Sequence, residues 1–114
     1  MRYSPNAGLA AVLFYMALTP QFAQAQDIEA GRAIATRWCS NCHNVTAGGG
    51  TATDRIPSFL SISQMSSTTL MSLTVFLQTP HNRMPDFNLT RREIADVSSY
   101  ILDLKRQKQP SPAR

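Results

Sequence analysis

Both cysteines of the chain lie in one five-residue segment, Cys39-Ser40-Asn41-Cys42-His43, and one of its two histidines follows them directly. On a helical turn, two intervening residues place both sulfur atoms on the same side. The sulfurs can then reach the two vinyl groups of a porphyrin, with the adjacent histidine beneath the iron as proximal ligand. The segment therefore predicts that Cys39 and Cys42 attach one haem c covalently and that His43 binds its iron.

The first 25 residues have the three-part layout of a secretory signal. Arg2 is followed by an apolar run of 12 residues, Ala7 to Leu18, and by a polar stretch that ends in Ala23-Gln24-Ala25. The run is shorter than the roughly 20 residues that a helix needs to cross a bilayer. We therefore predict cleavage between Ala25 and Gln26, a periplasmic location, and no stable membrane insertion of the mature chain.

The mature chain is small and only moderately basic. Of the 11 Lys and Arg residues only Arg2 precedes the cleavage site, and all seven Asp and Glu residues follow it, so the net charge is +3. That charge is too modest to argue for a nucleic-acid partner. A domain of this size has a limited core and often depends on a staple or a cofactor for stability.

Hydrophobic periodicity predicts an all-α chain with about three helices. The first helix runs from about Ile28 to Trp38, with Asp27 as its N-cap. Gly31 within it costs roughly 1 kcal/mol relative to alanine, and a glycine in such a position often marks the close approach of another backbone. The second helix covers residues 68–78, where leucines recur at helical spacing and Pro80 disfavours continuation.

The third helix has the clearest start. Thr90 and Glu93 form a capping box, and Leu89 and Ile94 occupy the positions of a hydrophobic staple. The helix is expected to end near residues 105–107. One face of it is apolar, with Ile94, Val97, Ile101 and Leu104.

The segment between the first two helices, residues 44–67, is predicted to be a long irregular loop. Loops of this length are uncommon in compact domains unless they surround a ligand or carry a function. This loop, together with the absence of alternating strand patterns, suggests that a ligand completes the fold. We take residues 26–107 as one domain and residues 108–114 as a flexible tail.

Three other interpretations compete for the cysteine segment. A thiol–disulfide oxidoreductase also uses C-x-x-C, but at a helix start after a strand, whereas this motif ends an N-terminal helix. A zinc site could use Cys39, Cys42, His43 and His81, although the direct adjacency of two ligands fits a tetrahedral site poorly. A purely structural disulfide would leave the long loop unsupported. The haem interpretation is favoured because it agrees with the export signal and the helical context.

A sixth ligand for the iron is predicted in the loop before the third helix. Met84 lies in a polar, proline-containing segment without helical period, and its thioether sulfur is a soft ligand that raises the reduction potential. Met71 fits the alternative role of core filler, because it falls on the apolar side of the second helix. His81 and Met65 are the rival ligands.

Across its mature length the sequence resembles the class I monohaem cytochromes c of bacteria. The resemblance implies a small cytochrome c fold in which long loops wrap one haem between His43 and Met84. It also implies that the Pro57 carbonyl hydrogen-bonds the ring of His43, and that Gly31 lets the first and last helices cross near Tyr100. The matching features are Gly31, Cys39-Ser40-Asn41-Cys42-His43, Ile56-Pro57, Pro80-His81-Asn82-Arg83-Met84-Pro85 and the closing helix with Tyr100.

These features together predict a periplasmic one-electron carrier and not an enzyme. An apolar cage would keep the haem dry and its potential high. The expected partners are redox proteins, with a reductase or dehydrogenase as electron donor and an oxidase or reductase as acceptor. Two alternatives stay open: a dedicated electron-transfer subunit of a periplasmic dehydrogenase, and a haem enzyme or gas sensor with an open iron position. The residues assigned to the cage are Trp38, Phe59, Leu60, Leu77, Phe87 and Tyr100.

Overall fold

The computed structural model describes residues 25–48, 55–80 and 83–109. Within these ranges the chain forms four α-helices and no strand beyond a single bridge residue, in agreement with the predicted all-α class. None of these described helices is long and apolar enough to cross a membrane. Most of the predicted signal sequence and most of the predicted tail lie outside the described residues. The helices are α1 (Ile28–Ile34), α2 (Phe59–Gln64), α3 (Leu70–Gln78) and α4 (Arg91–Lys108).

The start of α1 is as predicted, but its end is not a regular α-helix. The Asp27 side chain caps the first turn by accepting a hydrogen bond from the Ala30 amide at 3.0 Å. After α1 the backbone widens into a π turn, Ala35–Cys39, in which the Ser40 amide donates to the Ala35 carbonyl at 3.1 Å. Such turns are rare and are often found at functional sites. Here the π turn ends on the first cysteine of the motif.

The helices α1 and α4 cross at Gly31, where their backbones touch. A β carbon at Gly31 would overlap the carbonyl oxygen of Asp96 and would lie 2.9 Å from the β carbon of Tyr100. Close-packed interiors do not yield to overlaps of this size, so only glycine fits. The crossing near Tyr100 that the family resemblance implies is therefore confirmed.

A buried carboxylate ties the start of α1 to this crossing. The Asp96 residue is only 4% exposed, and its Oδ1 accepts a hydrogen bond from the Asp27 amide at 2.8 Å. The Arg92 guanidinium pairs with the same carboxylate at 3.1 Å and also donates to the Ala25 carbonyl at 3.3 Å. The buried charge is tolerated because it is both paired and hydrogen-bonded.

The predicted irregular loop, residues 44–67, contains the helix α2, so the prediction is wrong for this part of it. The hydroxyl of Ser58 caps α2 by accepting from the Ser61 amide at 3.1 Å. The first two residues of the helix, Phe59 and Leu60, are buried, and α2 packs against α4. A helix of six residues is too short to show a helical period in the sequence.

Helix α3 is capped by Thr69 and Ser72, which form a second capping box that the sequence analysis did not identify. Its buried face is narrower than predicted, since Leu73 alone is buried and Leu77 is half-buried. The assignment of Met71 to the core is wrong, because 72% of this residue is exposed.

Helix α4 follows its prediction closely. The Glu93 carboxylate accepts from the Thr90 amide at 2.8 Å, and the Thr90 hydroxyl accepts from the Glu93 amide at 3.2 Å, which confirms the capping box. The helix continues to Lys108, slightly beyond the predicted end. All four residues of the predicted apolar face are buried: Ile94, Val97, Ile101 and Leu104.

Replacing Gly31 by alanine should strongly destabilise the protein. The added methyl group overlaps the Asp96 carbonyl, so the two helices must separate, and overpacking of this kind costs about 1–3 kcal/mol or more. Thermal unfolding of the haem-loaded protein should therefore show a clearly lower midpoint. The exposed Ala33→Ser variant in the same helix serves as a control and should change the midpoint little. An unchanged midpoint for Gly31→Ala would contradict the close crossing.

The capping box of α4 should make part of the stability depend on pH. Hydrogen bonds from the backbone and the side chain of Thr90 lower the pKa of Glu93 below its ordinary value of 4.5. Because this pKa is lower in the folded state, the stabilisation is fully present above the unfolded value and is lost as the pH falls through the folded value. The difference in thermal unfolding midpoint between wild type and Glu93→Gln should therefore shrink as the pH falls from the unfolded to the folded pKa of Glu93. A constant difference would refute the assignment.

Candidate haem-binding site

The ring of His43 is held from one side by a hydrogen bond. Its Nδ1 atom lies 2.7 Å from the carbonyl oxygen of Pro57. A carbonyl can only accept, so Nδ1 carries the proton and Nε2 keeps a free lone pair. No hydrogen bond within the described part of the chain engages Nε2. This is the arrangement that a metal-binding imidazole requires.

Local backbone contacts bring His43 and Pro57 together. The His43 amide donates to the Cys39 carbonyl at 2.9 Å, which closes the motif into one helical turn. The Phe59 amide donates to the Asn44 carbonyl at 2.9 Å, so the start of α2 is held beside the end of the motif. The centroid of the Phe59 ring then lies 5.3 Å from the centroid of the His43 ring. Together these contacts fix the orientation of the imidazole.

Helix α4 holds the chain that follows the motif. The Tyr100 hydroxyl donates to the Val45 carbonyl at 2.7 Å, and both residues are buried. Burial raises the pKa of Tyr100, so the hydroxyl stays protonated and available as a donor. Sequence reasoning missed Asn44 and Val45, because they act through backbone carbonyls and any side chain supplies the same group.

The two cysteines are free thiols in different surroundings. Cys39 is buried at the end of the π turn, whereas Cys42 is exposed. Burial raises the pKa of the Cys39 thiol to about 11. A thiol–disulfide oxidoreductase needs a thiol with a lowered pKa, so this surrounding is the opposite of what that activity requires.

The donor set fits a haem c better than a zinc ion. Among the described residues no three His, Cys, Asp or Glu side chains are grouped closely enough to hold a metal ion. Cys39, Cys42 and His43 are therefore not gathered around one point. They supply instead two thiols and one imidazole with a free nitrogen, which is the set that a covalently attached haem uses. His81, the fourth ligand of the zinc interpretation, lies outside the described residues.

Met84 is half-buried on the loop between α3 and α4. Its side chain contributes to a cleft formed by the end of α3 and by the loop itself, and the motif is not part of the lining. The rival Met65 is the C-cap of α2 and is 50% exposed. The other rival, His81, is not described. Apolar or proline residues that line the cleft with Met84 include Leu77, Pro80, Pro85, Phe87 and Leu89.

The predicted apolar cage is only partly a buried unit. Phe59, Leu60 and Tyr100 are buried, and Leu77 and Phe87 are half-buried. Trp38 is 42% exposed among the protein atoms alone. Its ring lies against Phe87, with the ring centroids 5.6 Å apart.

Known proteins resemble this chain over most of its length. Residues 26–101 match the family model described as cytochrome c oxidase, cbb3-type, subunit III. Over 83 residues the chain is 39% identical to cytochrome c-552 of Bradyrhizobium diazoefficiens, and the alignment covers 73% of this chain and 80% of that protein. No solved structure matches the chain. The chain therefore belongs to the c-type cytochromes, in their small monohaem class I group.

Membership in this family defines the cofactor and the general activity. The cofactor is a covalently bound haem c that contains one iron. The protein is an electron carrier, and its partners are redox proteins.

Replacing Cys39 and Cys42 together by alanine should abolish covalent haem, because no other thiol is present in the chain. Mass spectrometry of the denatured protein should show the mass of the polypeptide alone, whereas wild type carries the added haem. Ser40→Ala, between the two cysteines, is the control and should keep its haem. Haem that stays bound to the double variant after denaturation would contradict the attachment sites. A stably folded double variant would contradict the view that haem completes the core.

Proposed function

We propose that this protein is a periplasmic one-electron carrier in which Cys39 and Cys42 attach the haem and His43 and Met84 bind its iron. The observation that carries the proposal is the hydrogen bond between His43 Nδ1 and the Pro57 carbonyl, at 2.7 Å. It leaves Nε2 of His43 unprotonated. Because His43 directly follows Cys42, the iron of a haem attached there would lie next to this nitrogen. The bound haem supplies an iron that accepts and returns one electron.

The Pro57 carbonyl has two effects on the imidazole of His43. It keeps the proton on Nδ1, so the same tautomer is present in both redox states, and it fixes the plane of the ring. A hydrogen bond of this kind also raises the basicity of the ligating nitrogen, which favours the ferric state. Because the Phe59 ring lies beside the imidazole, with the ring centroids 5.3 Å apart, His43 would have little freedom to leave the iron.

The burial of the methionines supports Met84 as the second ligand. Met65 and Met71 are 50% and 72% exposed, whereas Met84 is less exposed and lies in a cleft that Leu77, Phe87 and Leu89 help to line. A thioether is a weak, neutral ligand that favours the ferrous state and raises the potential. Together with the imidazole of His43, it would keep the iron fully coordinated, so that electron transfer would need little rearrangement.

The signal layout supports export and cleavage between Ala25 and Gln26. The mature protein would then begin next to Asp27, whose amide is already held by Asp96. It would comprise the domain at 26–107 and the tail at 108–114. Covalent attachment suits this location, because thioether bonds retain the haem in a dilute, oxidising compartment.

A second candidate function is a dedicated electron-transfer subunit of one enzyme complex, such as an oxidase or a dehydrogenase. The matching family model is named for an oxidase subunit, whereas the relative is named as a cytochrome. Mild extraction and affinity purification of the tagged protein discriminate the two. A stoichiometric enzyme partner supports the subunit, and recovery of the cytochrome alone supports the free carrier.

Met84→Ala should leave the haem attached but lower its reduction potential. Axial ligands set haem potentials over about 0.8 V, and loss of the thioether should lower this one by roughly 0.1 V or more. The ferric protein should lose the weak far-red absorption band of thioether ligation, and the ferrous form should bind carbon monoxide readily. Redox titration and absorption spectra measure both effects.

Met65→Ala is the control for this experiment and should behave like wild type. An unchanged potential and spectrum in Met84→Ala would contradict the proposed ligand and would point to His81 or Met65. Ready binding of carbon monoxide by the wild-type ferrous protein would favour a haem enzyme or gas sensor with an open iron position.

A further inference from the structure

The loop that carries Met84 has few backbone ties to the rest of the protein. Between residues 83 and 89, the hydrogen bond that the structure describes is local: the Asn88 amide donates to the Asp86 carboxylate at 2.8 Å. Asn88 adopts a positive φ of 49°, a left-handed conformation that turns the chain toward α4. Within the described residues, no backbone hydrogen bond joins this stretch to another element. Within the described residues, side-chain packing is what ties this stretch to the rest of the protein.

Two side chains provide that packing. Leu89 packs against the hydrophobic core at the start of α4. The ring of Phe87 lies against the ring of Trp38, with centroids 5.6 Å apart and planes inclined by 41°, a favourable geometry for an aromatic pair. Trp38 directly precedes Cys39, so this pair links the Met84 loop to the segment that attaches the haem.

The Trp38 ring is itself well placed to act as an anchor. It belongs to the π turn Ala35–Cys39, so the backbone that positions Cys39 also positions Trp38. The guanidinium of Arg37 lies 5.1 Å from the centre of the Trp38 ring, within the range of a cation–π contact. These contacts fix the ring on the haem-attachment side of the pair.

The position of the pair argues against a role in the core. Neither Trp38 nor Phe87 belongs to the hydrophobic core cluster, and Trp38 is 42% exposed. Removing either ring should therefore have a limited effect on overall stability. The segment that the pair restrains is short, because only Pro85 and Asp86 separate Phe87 from Met84, and the proline stiffens it.

We propose that Trp38 and Phe87 form an aromatic clamp that positions the Met84 sulfur on the haem iron. The inference rests on the proposed ligation by His43 and Met84. Both members of the clamp are positioning residues, since they act on the iron only through Met84. An aromatic pair contributes an amount that corresponds to roughly two- to tenfold in an equilibrium constant. Loss of the clamp should therefore favour dissociation of Met84 by about that factor.

Competition with imidazole in the ferric haem-loaded protein tests the clamp. Added imidazole occupies the iron only when Met84 has left it, so its apparent affinity reports how firmly the loop is held. Phe87→Leu and Trp38→Leu should each raise this affinity roughly two- to tenfold, measured as loss of the far-red thioether band. The double variant should raise it little beyond the larger single effect, because both substitutions remove the same contact.

Leu102→Ala is the matched control, because Leu102 is half-buried on α4 and packs against the core away from the loop. It should lower the thermal midpoint but leave the imidazole affinity unchanged, as a merely structural residue would. If Trp38→Leu impairs haem attachment, Phe87→Leu decides alone, since it leaves the attachment segment intact.

Three outcomes overturn the clamp, and the first two are distinguishable from the third. A wild-type thioether band with unchanged imidazole affinity in Phe87→Leu, or fully multiplicative effects in the double variant, refutes the clamp and leaves the ligation by Met84 standing. A wild-type ferric protein that lacks the thioether band refutes the proposed ligation and the clamp together.

Discussion

The contact between the backbones of α1 and α4 at Gly31 positions the haem-attachment segment of the candidate site. Because no side chain separates the helices there, the carbonyl of Asp96 and the side chain of Tyr100 lie directly against α1. The π turn continues α1 to Cys39, so the crossing also sets where the haem-attachment segment begins. The hydrogen bond from the Asp27 amide to the Asp96 carboxylate fixes the other end of α1 on the same helix.

From this crossing, a series of backbone carbonyls leads to the ring of His43. The Val45 carbonyl accepts from Tyr100, the Asn44 carbonyl accepts from the start of α2, and the Pro57 carbonyl accepts from the imidazole. Each bond uses a group that needs a partner wherever it is buried. The same contacts therefore satisfy the loop backbone and orient the ligand, so the scaffold and the site are not separable parts of this small domain.

The sequence predicted the parts of the fold that depend on local side-chain chemistry. The Thr90–Glu93 capping box, the Asp27 cap and the apolar face of α4 are confirmed. These features could be predicted because the residues that form each of them lie within a few adjacent turns of the sequence. The six-residue helix α2 was missed, since it depends on the Ser58 cap and on burial against a distant helix. The exposure of Met71 and the contact of Trp38 with Phe87 could not be predicted either, because an apolar residue does not indicate which surface covers it.

The iron coordination by His43 and Met84 is the central claim, and X-ray absorption at the iron edge of the purified ferric protein tests it most directly. We expect a first shell of the porphyrin nitrogens, one imidazole nitrogen and one sulfur. The sulfur should disappear from the first shell in Met84→Ala and should remain in Met65→Ala. A wild-type shell that contains only nitrogen, as a second histidine would give, or one that lacks a sixth ligand, would contradict the account.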